Sequence, residues 1–326
     1  MRLGVLSTAT IGRGSVLPAA ADSDHELLAV ASRDRERAEA LAETFDVPRA
    51  YGSYADLLAD DDLDAVYVPL PNGLHAEWTK RAADAGLHVL CEKPLGVDAD
   101  QAREMADYCE AAGVTLMEAF MYRYHPRTER AAAVVASELG DVRSVSATFQ
   151  FPLRGRPDDI RLNPDLAGGS LLDVGCYAVS AARLFCGEPT AAYATTTDTR
   201  EAGVDTALAG ILEFDDGVTA RVSAGFDTED VQRYRVETTD GTLEAREAFV
   251  PRDDDGVELT YEVGGRTVTE RFDPTDQYRL ELEAFAEAVA SGEPPRTDGD
   301  EAVRTMRAID ALAESADTGR RVTIDR

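Results

Sequence analysis

Two hydrophobic periods alternate through the first part of the chain. Apolar runs of strand type, Arg2 to Leu6, Glu26 to Ala31, Ala65 to Val68, His88 to Cys91 and Val114 to Met117, are separated by segments of helical period. Those helical segments are Ile11 to Ala21, Arg35 to Thr44, Tyr54 to Leu58, Ala76 to Ala85 and Asp98 to Ala112, with a short extended piece at Ala50-Tyr51. Asp98 stands where the last of these helices needs a cap, and Gly86 and Gly113 stand where two of them should stop. A further helix is expected from about Pro126 to Leu139. Regular alternation with short apolar strands predicts an α/β fold with a doubly wound parallel sheet.

The pattern changes after Gly140. Val142 to Phe151 alternates as a long strand, and one helix, Ser170 to Phe185, follows a Gly-Gly turn. Extended runs then dominate: Ala191 to Thr197, Ala207 to Phe214, Val218 to Phe226, Tyr234 to Thr239, Leu259 to Val263 and Thr267 to Phe272. Asp216-Gly217 and Asp240-Gly241 are hairpin signals. Two helices, Gln277 to Ala290 and Asp300 to Ala316, follow. This part predicts an α+β domain with a large, mostly antiparallel open sheet and helices on one face. The domains are placed at 1–122 and 123–326, with the carboxyl-terminal helix packing back on the first.

Composition narrows the function classes. The chain has 326 residues, with 62 acidic against 33 basic, a net charge of −29. Only Lys80 and Lys93 are lysines; the other basic residues are arginines. The acids are spread along the chain rather than gathered in a tail, which predicts an acidic surface suited to high salt, where repulsion is screened. No basic stripe is available for nucleic acid. No apolar run has membrane length and no signal peptide is visible, so membrane and secreted classes are not expected and a cytoplasmic location is. Cys91, Cys109, Cys176 and Cys186 have no metal-binding spacing and are expected as buried thiols, with no metal site.

The first strand-to-helix turn reads Ser7-Thr8-Ala9-Thr10-Ile11-Gly12. On the dinucleotide fingerprint G-x-G-x-x-G, Ser7 and Ala9 replace two glycines and Gly12 keeps the third. The position, directly after the first strand, suits a pyrophosphate held at a helix amino terminus. The second strand ends Ser32-Arg33, where an NAD site usually carries an acid for the ribose 2′-hydroxyl. A hydroxyl followed by a guanidinium suits a 2′-phosphate and predicts NADP; Asp34 next door is the one residue able to take the acid's part. Glu92-Lys93-Pro94 follows the fifth strand, at the edge where doubly wound sheets place ligands. A lysine kept there by a chain that otherwise avoids it is a candidate for proton chemistry.

Glu92-Lys93-Pro94 resembles the Glu-Lys-Pro motif of the glucose-fructose oxidoreductase, inositol dehydrogenase and rhizopine catabolism (Gfo/Idh/MocA) oxidoreductases. Pro71-Asn72-Gly73-Leu74-His75 is similar to the family's Pro-Asn-x-x-His. Glu118 to Pro126 is similar to its segment entering the second domain, and Gly168 to Tyr177 to its Gly-Gly-x-x-x-Asp-x-Gly-x-His. Many relatives carry His where this chain has Tyr177. A Tyr there resembles the branch of dimeric dihydrodiol dehydrogenases and NADP-dependent D-xylose 1-dehydrogenases.

The resemblance implies hydride transfer between NADP and a sugar or polyol carbinol. It makes Lys93, Asp173 and Tyr177 the catalytic residues. Tyr177 would take the hydroxyl proton, Lys93 would favour its ionised form and bind the substrate oxygen, and Asp173 would orient Lys93 or a second hydroxyl. An unperturbed phenol titrates near about 10, so it needs such a cation. Ser7, Thr8, Ala9, Ile11, Gly12, Ser32, Arg33, Asn72, His75, Glu92 and Lys93 would hold the cofactor, and Arg123 and Arg161 the substrate. The first expected reaction is oxidation of D-xylose or D-glucose at C1 to a lactone. Dihydrodiol oxidation, reduction of a dicarbonyl sugar and a non-catalytic dinucleotide sensor are the alternatives. An open second sheet implies a homodimer or homotetramer.

Overall fold

The computed structural model describes residues 1–156, 159–251 and 256–325. The first part forms a six-stranded parallel sheet from β1 (Arg2–Leu6), β2 (Glu26–Ala31), β3 (Arg49–Tyr51), β4 (Ala65–Val68), β5 (His88–Glu92) and β6 (Leu116–Ala119). The order is β3-β2-β1-β4-β5-β6, so it reverses between β1 and β4, the switch point where such sheets bind ligands. The helices between them are α1 (Leu17–Ala21), α2 (Arg35–Thr44), α3 (Tyr54–Leu58), α4 (His75–Asp84) and α5 (Ala99–Ala112). Every residue of β4 is buried, as a central parallel strand covered on both faces must be.

Local chemistry sets the element ends. Asp98 caps α5 by accepting the Gln101 N–H at 2.7 Å, and Gly113 ends it at φ 72°. Val114, expected to open a strand, instead donates its N–H to the Cys109 carbonyl and completes the helix stop, so β6 starts at Leu116. The helix expected from Ile11 opens as a π turn at Gly12–Val16, with the Leu17 N–H reaching the Gly12 carbonyl. Pro18, next in line, has no N–H to continue an α register from Gly14.

The second part contributes α6 (Pro126–Glu138), β7 (Val142–Gln150), a π turn at Leu171–Gly175 that runs into α7 (Cys176–Cys186), and β8 (Ala191–Thr197). There follow β9 (Ala207–Glu213), β10 (Thr219–Gly225), β11 (Val231–Thr238), β12 (Gly241–Arg246), β13 (Val257–Val263) and β14 (Arg266–Phe272). The chain ends with α8 (Gln277–Ser291), α9 (Gly299–Thr318) and β15 (Val322–Thr323). A nine-stranded sheet results, in the order β14-β13-β12-β11-β7-β10-β9-β8-β15. Its one parallel pair is β7 with β10; the other neighbours are antiparallel. Both hairpin signals hold, and Asp216 and Gly217 take φ of 58° and 76° in the turn joining β9 and β10. Val145, Ala147 and Phe149 of β7 face inward, beneath α7, and alternate with half-buried serine and threonine on the other face.

The chain divides into two compact units, Met1–Met121 with Asp276–Val303, and Tyr122–Thr275 with Arg304–Arg326. The continuous second domain expected at 123–326 is thus corrected: residues 276–303 fold with the first unit. The element that returns is α8, which packs on α1 and buries Leu282 and Phe285. Cys91, Cys109 and Cys176 are buried and Cys186 is half-buried; all four are free thiols.

Candidate active site

In the first unit the expected cofactor residues gather at the carboxyl edge of the parallel sheet. Ser7, in the place of the first fingerprint glycine, has φ 137°, a region that costs a side chain strain and that glycine enters freely. Its hydroxyl accepts the Ala9 N–H at 3.0 Å and so holds the turn. A Cβ at Gly12 would meet only ordinary contacts, at 3.4 Å from Leu17. Gly12 is therefore not demanded by packing. Thr8 and Ile11 are half-buried on either side.

The end of β2 separates two carboxylate and guanidinium roles that the sequence left open. Asp34 caps α2, its Oδ1 accepting the Glu36 and Arg37 N–H groups at 3.1 and 3.4 Å, and its Oδ2 lies 3.4 Å from the Arg37 guanidinium. Its carboxylate is spent on its own helix. Ser32 is 7% exposed, and its hydroxyl accepts the Asp34 N–H. Arg33 is exposed and makes no ion pair with a described residue. A free cation beside a hydroxyl fits a 2′-phosphate.

The Glu92-Lys93-Pro94 turn is gripped from three sides. The Lys93 N–H donates to Glu92 Oε2 at 3.3 Å. The Leu95 N–H donates to Glu118 Oε1 at 2.8 Å, and Glu118 is almost fully buried. His75 Nδ1 lies 2.9 Å from the Pro94 carbonyl oxygen, while Nε2 lies 2.8 Å from that of Leu70. His75 was expected among the residues that hold the cofactor. The ring is instead fully buried, with both nitrogens committed to backbone carbonyls, so it joins the loop after β4 to the turn after β5. Burial lowers its pKa, against the pull of those carbonyls. Asn72 opens the short 3₁₀ turn that leads into α4.

Glu92 in turn belongs to a cluster the sequence did not reveal. Its Oε1 accepts the Tyr67 hydroxyl at 2.5 Å. Tyr278 and Glu281, both on α8, act electrostatically on this group. Glu281 is 1% exposed and its Oε1 has no hydrogen-bond partner. Burial raises its pKa well above the ordinary carboxyl value, followed by repulsion from Glu92 and Asp276. No local motif marks Glu281; only the return of α8 brings it here.

In the second unit the π turn and α7 carry Asp173 and Tyr177. Asp173 lies in the π turn and Tyr177 in the first turn of α7, so their four-residue spacing crosses a change of helical pitch. Arg161 donates through Nε to Asp173 Oδ2 at 2.7 Å and through Nη1 to Asp159 at 3.3 Å. Asp173 is thus ion-paired with Arg161 within its own unit. Tyr177 is 4% exposed, with Phe149, Phe249 and Tyr122 at 5.2, 5.4 and 5.9 Å between ring centroids. Phe149 and Phe249 stack with 12° between their planes. One turn beyond Tyr177, the Ser180 hydroxyl lies 2.7 Å from the Tyr122 hydroxyl and accepts from Arg123 at 3.5 Å. Arg123 is therefore mostly buried against α7.

Two family descriptions match this chain. An oxidoreductase family with an NAD-binding Rossmann fold matches residues 1–120, and the Gfo/Idh/MocA carboxyl-terminal domain matches residues 129–244. The chain is 62% identical over 325 residues to a D-xylose 1-dehydrogenase (NADP⁺) of Haloferax volcanii, covering 100% of each. Among solved structures, a 3-ketoreductase from Actinomadura kijaniata in complex with NADP is 35% identical, with a TM-score of 0.91 and 97% of each chain covered. An aldose-aldose oxidoreductase from Caulobacter crescentus is 30% identical, with a TM-score of 0.92 and 99% of each chain covered. With both domains matched in order, the chain belongs to the Gfo/Idh/MocA family of oxidoreductases.

Proposed function

We propose that this protein is an NADP-dependent aldose dehydrogenase that oxidises D-xylose, with D-glucose as the second candidate, at C1 to the lactone. The observation that carries the reading is the Asp173 and Tyr177 pair at the π-to-α junction, in a chain similar over its full length to an NADP-dependent D-xylose 1-dehydrogenase. The choice of NADP is supported by the end of β2, where Asp34 is consumed as a helix cap and Arg33 is left without a carboxylate.

When bound, the cofactor supplies the hydride acceptor. The chain's own residues supply the rest. Arg33 and Ser32 would hold the 2′-phosphate, and the turn from Ser7 to Gly12 would hold the pyrophosphate. Tyr177 removes the proton of the C1 hydroxyl, and Lys93 hydrogen-bonds the same oxygen and favours the ionised phenol. Asp173, held by Arg161, binds a neighbouring sugar hydroxyl. A tyrosine enclosed by three aromatic rings keeps water from its edge, which favours transfer from substrate over exchange with solvent.

Two further readings belong to the proposal. Tyr193 of β8 and Ile211 of β9 are direct cross-strand partners, 48% and 43% exposed on the outer face of the nine-stranded sheet. That apolar pair on an open sheet favours a homodimer or homotetramer. The charge of −29 favours a cytoplasm of high salt. Among the described residues no helix is long and apolar enough to cross a membrane.

The testing experiment follows absorbance of the reduced cofactor in concentrated KCl with D-xylose, D-glucose, polyols and dihydrodiols, giving NADP⁺ or NAD⁺ in parallel. Turnover of an aldose with NADP⁺ is expected. Turnover of dihydrodiols alone, or NADPH binding without any turnover, overturns the aldose reading.

A further inference from the structure

The helix that carries Asp173 and Tyr177 does not cap itself. Ser170, at its cap position, has helical angles (φ −71°, ψ −30°), and its hydroxyl accepts no amide of the helix. That hydroxyl instead donates to Oδ2 of Asp205 at 2.6 Å, and the Leu171 N–H donates to the same oxygen at 2.8 Å. The Ser170 N–H donates to the Asp205 carbonyl at 2.8 Å. A residue 35 positions away thus supplies the cap that Ser170 would ordinarily provide.

The Gly168-Gly169 turn exists to permit this grip. A Cβ on Gly169, whose φ is 117°, would lie 2.4 Å from Asp205 Oδ1. A Cβ on Gly168 would lie 2.4 Å from the Arg161 carbonyl oxygen, which also accepts the Gly169 N–H at 2.8 Å. The turn is therefore clasped between Asp205 and the backbone of Arg161, the residue whose guanidinium holds Asp173. Asp205 is itself fixed to the sheet. The next residue, Thr206, is fully buried; its N–H donates to the Thr197 carbonyl and its own carbonyl accepts the Phe226 N–H. Asp205 thus ties the sheet to the helix start through both its carboxylate and its backbone carbonyl.

We propose that Asp205 is a positioning residue for the reaction: by capping the π turn from outside, it sets where Asp173 and Tyr177 stand. The proposal rests on the reading that those two residues carry the chemistry. A small misplacement of reacting groups costs up to about a hundredfold in rate, so a cap that fixes the rotation of this turn acts on turnover more than on binding.

The test uses the full-length chain with D-xylose and NADP⁺, comparing Asp205→Ala, Asp205→Asn, Ser170→Ala and Tyr177→Phe. Asp205→Ala is expected to lower kcat roughly tenfold to a hundredfold. KM for NADP⁺ should stay within about twofold, because the expected cofactor residues lie in other elements. Asp205→Asn, which keeps an acceptor, should recover most of the loss. Amide hydrogen exchange should quicken over residues 171–175 in Asp205→Ala and not across the nine-stranded sheet. Should Asp205→Ala not fold, Ser170→Ala removes one arm of the cap and should still lower kcat severalfold. A folded Asp205→Ala with unchanged kcat, or Ser170→Ala with unchanged kcat and unchanged exchange, overturns the proposal. If Tyr177→Phe turns over normally, the reading of the site fails, and the exchange data still decide whether Asp205 caps the helix.

Discussion

Arg161 and Asp173 form an ion pair through Nε and Oδ2 at 2.7 Å, with Asp173 16% and Arg161 37% exposed at the side chain. The pair locks the carboxylate of a candidate catalytic residue in one orientation, and Asp173 is the first cause of the raised pKa of Arg161. Replacing Asp173 by Asn keeps the shape and removes the charge. The expected result is a loss in kcat/KM on the order of tenfold to a hundredfold with the fold intact. Steady-state kinetics with D-xylose, beside a thermal melt, measure both; unchanged kcat/KM would remove Asp173 from the site.

Arg33 is the expected cofactor discriminator. With Asp34 engaged by its own helix, Arg33→Ala should raise KM for NADP⁺ by roughly tenfold to a hundredfold, the worth of a charge-assisted hydrogen bond to phosphate. KM for NAD⁺ should hardly change. Equal effects on both cofactors would place the 2′-phosphate elsewhere.

Ser7 holds φ 137° at the first position of the nucleotide loop. Ser7→Gly relieves that strain and loses one hydrogen bond to Ala9, for a net gain of about 1 kcal/mol. Chemical denaturation reads this as a higher midpoint. A lower midpoint would mean that the hydroxyl bond outweighs the strain.

His125 caps α6, its Nδ1 accepting the Arg127 N–H at 3.0 Å, which requires the neutral ring. Burial, then the nearby Arg127 charge, lowers its pKa from 6.5 to about 4. The folded state therefore binds the proton less well than the unfolded chain. Stability present above pH 6.5 is lost as pH falls toward about 4, by up to about 3 kcal/mol from this group. His125→Asn keeps a capping oxygen and cannot titrate there. Its melting temperature should gain on the wild type steadily through that window; parallel curves would refute the assignment.

The surface charge gives a salt prediction. At −29 the chain repels itself, and raising KCl from about 0.1 M to about 2 M shortens the screening length to a few ångströms. The melting temperature should climb over that range, with KCl and NaCl alike. A flat response would separate the composition from any adaptation to salt.

Much of the scaffold was legible in the chain. Alternation of short apolar strands with amphipathic segments predicts the parallel sheet, because side-chain period and burial are local properties. Asp98 and Gly113 mark α5 at both ends, because capping is local too. The strand β12 was missed. Its Gly-Thr-Leu-Glu-Ala-Arg sequence opens on glycine and carries two charges, and Glu244 and Arg246 fit a strand only because Leu243 and Ala245 are buried between β11 and β13. Both π turns were read as ordinary helix, since periodicity over five residues does not separate the two pitches.

By itself, the sequence determined the order of the motifs and the parallel-then-antiparallel architecture, which depend on residue type and near spacing; the candidates Lys93, Asp173 and Tyr177 came from the resemblance of their motifs to the family's. The tertiary structure alone decided that residues 276–303 return to the first unit, that Glu281 is buried near Glu92, that both nitrogens of His75 face carbonyls, and that Asp205 caps a helix 35 residues before it. Apart from the bond of His75 to Leu70, five residues before it, each of these is a contact between segments far apart in the chain. Hydrogen bonds and burial between such segments leave no periodic trace in either one, because the free energy that selects them belongs to the pair.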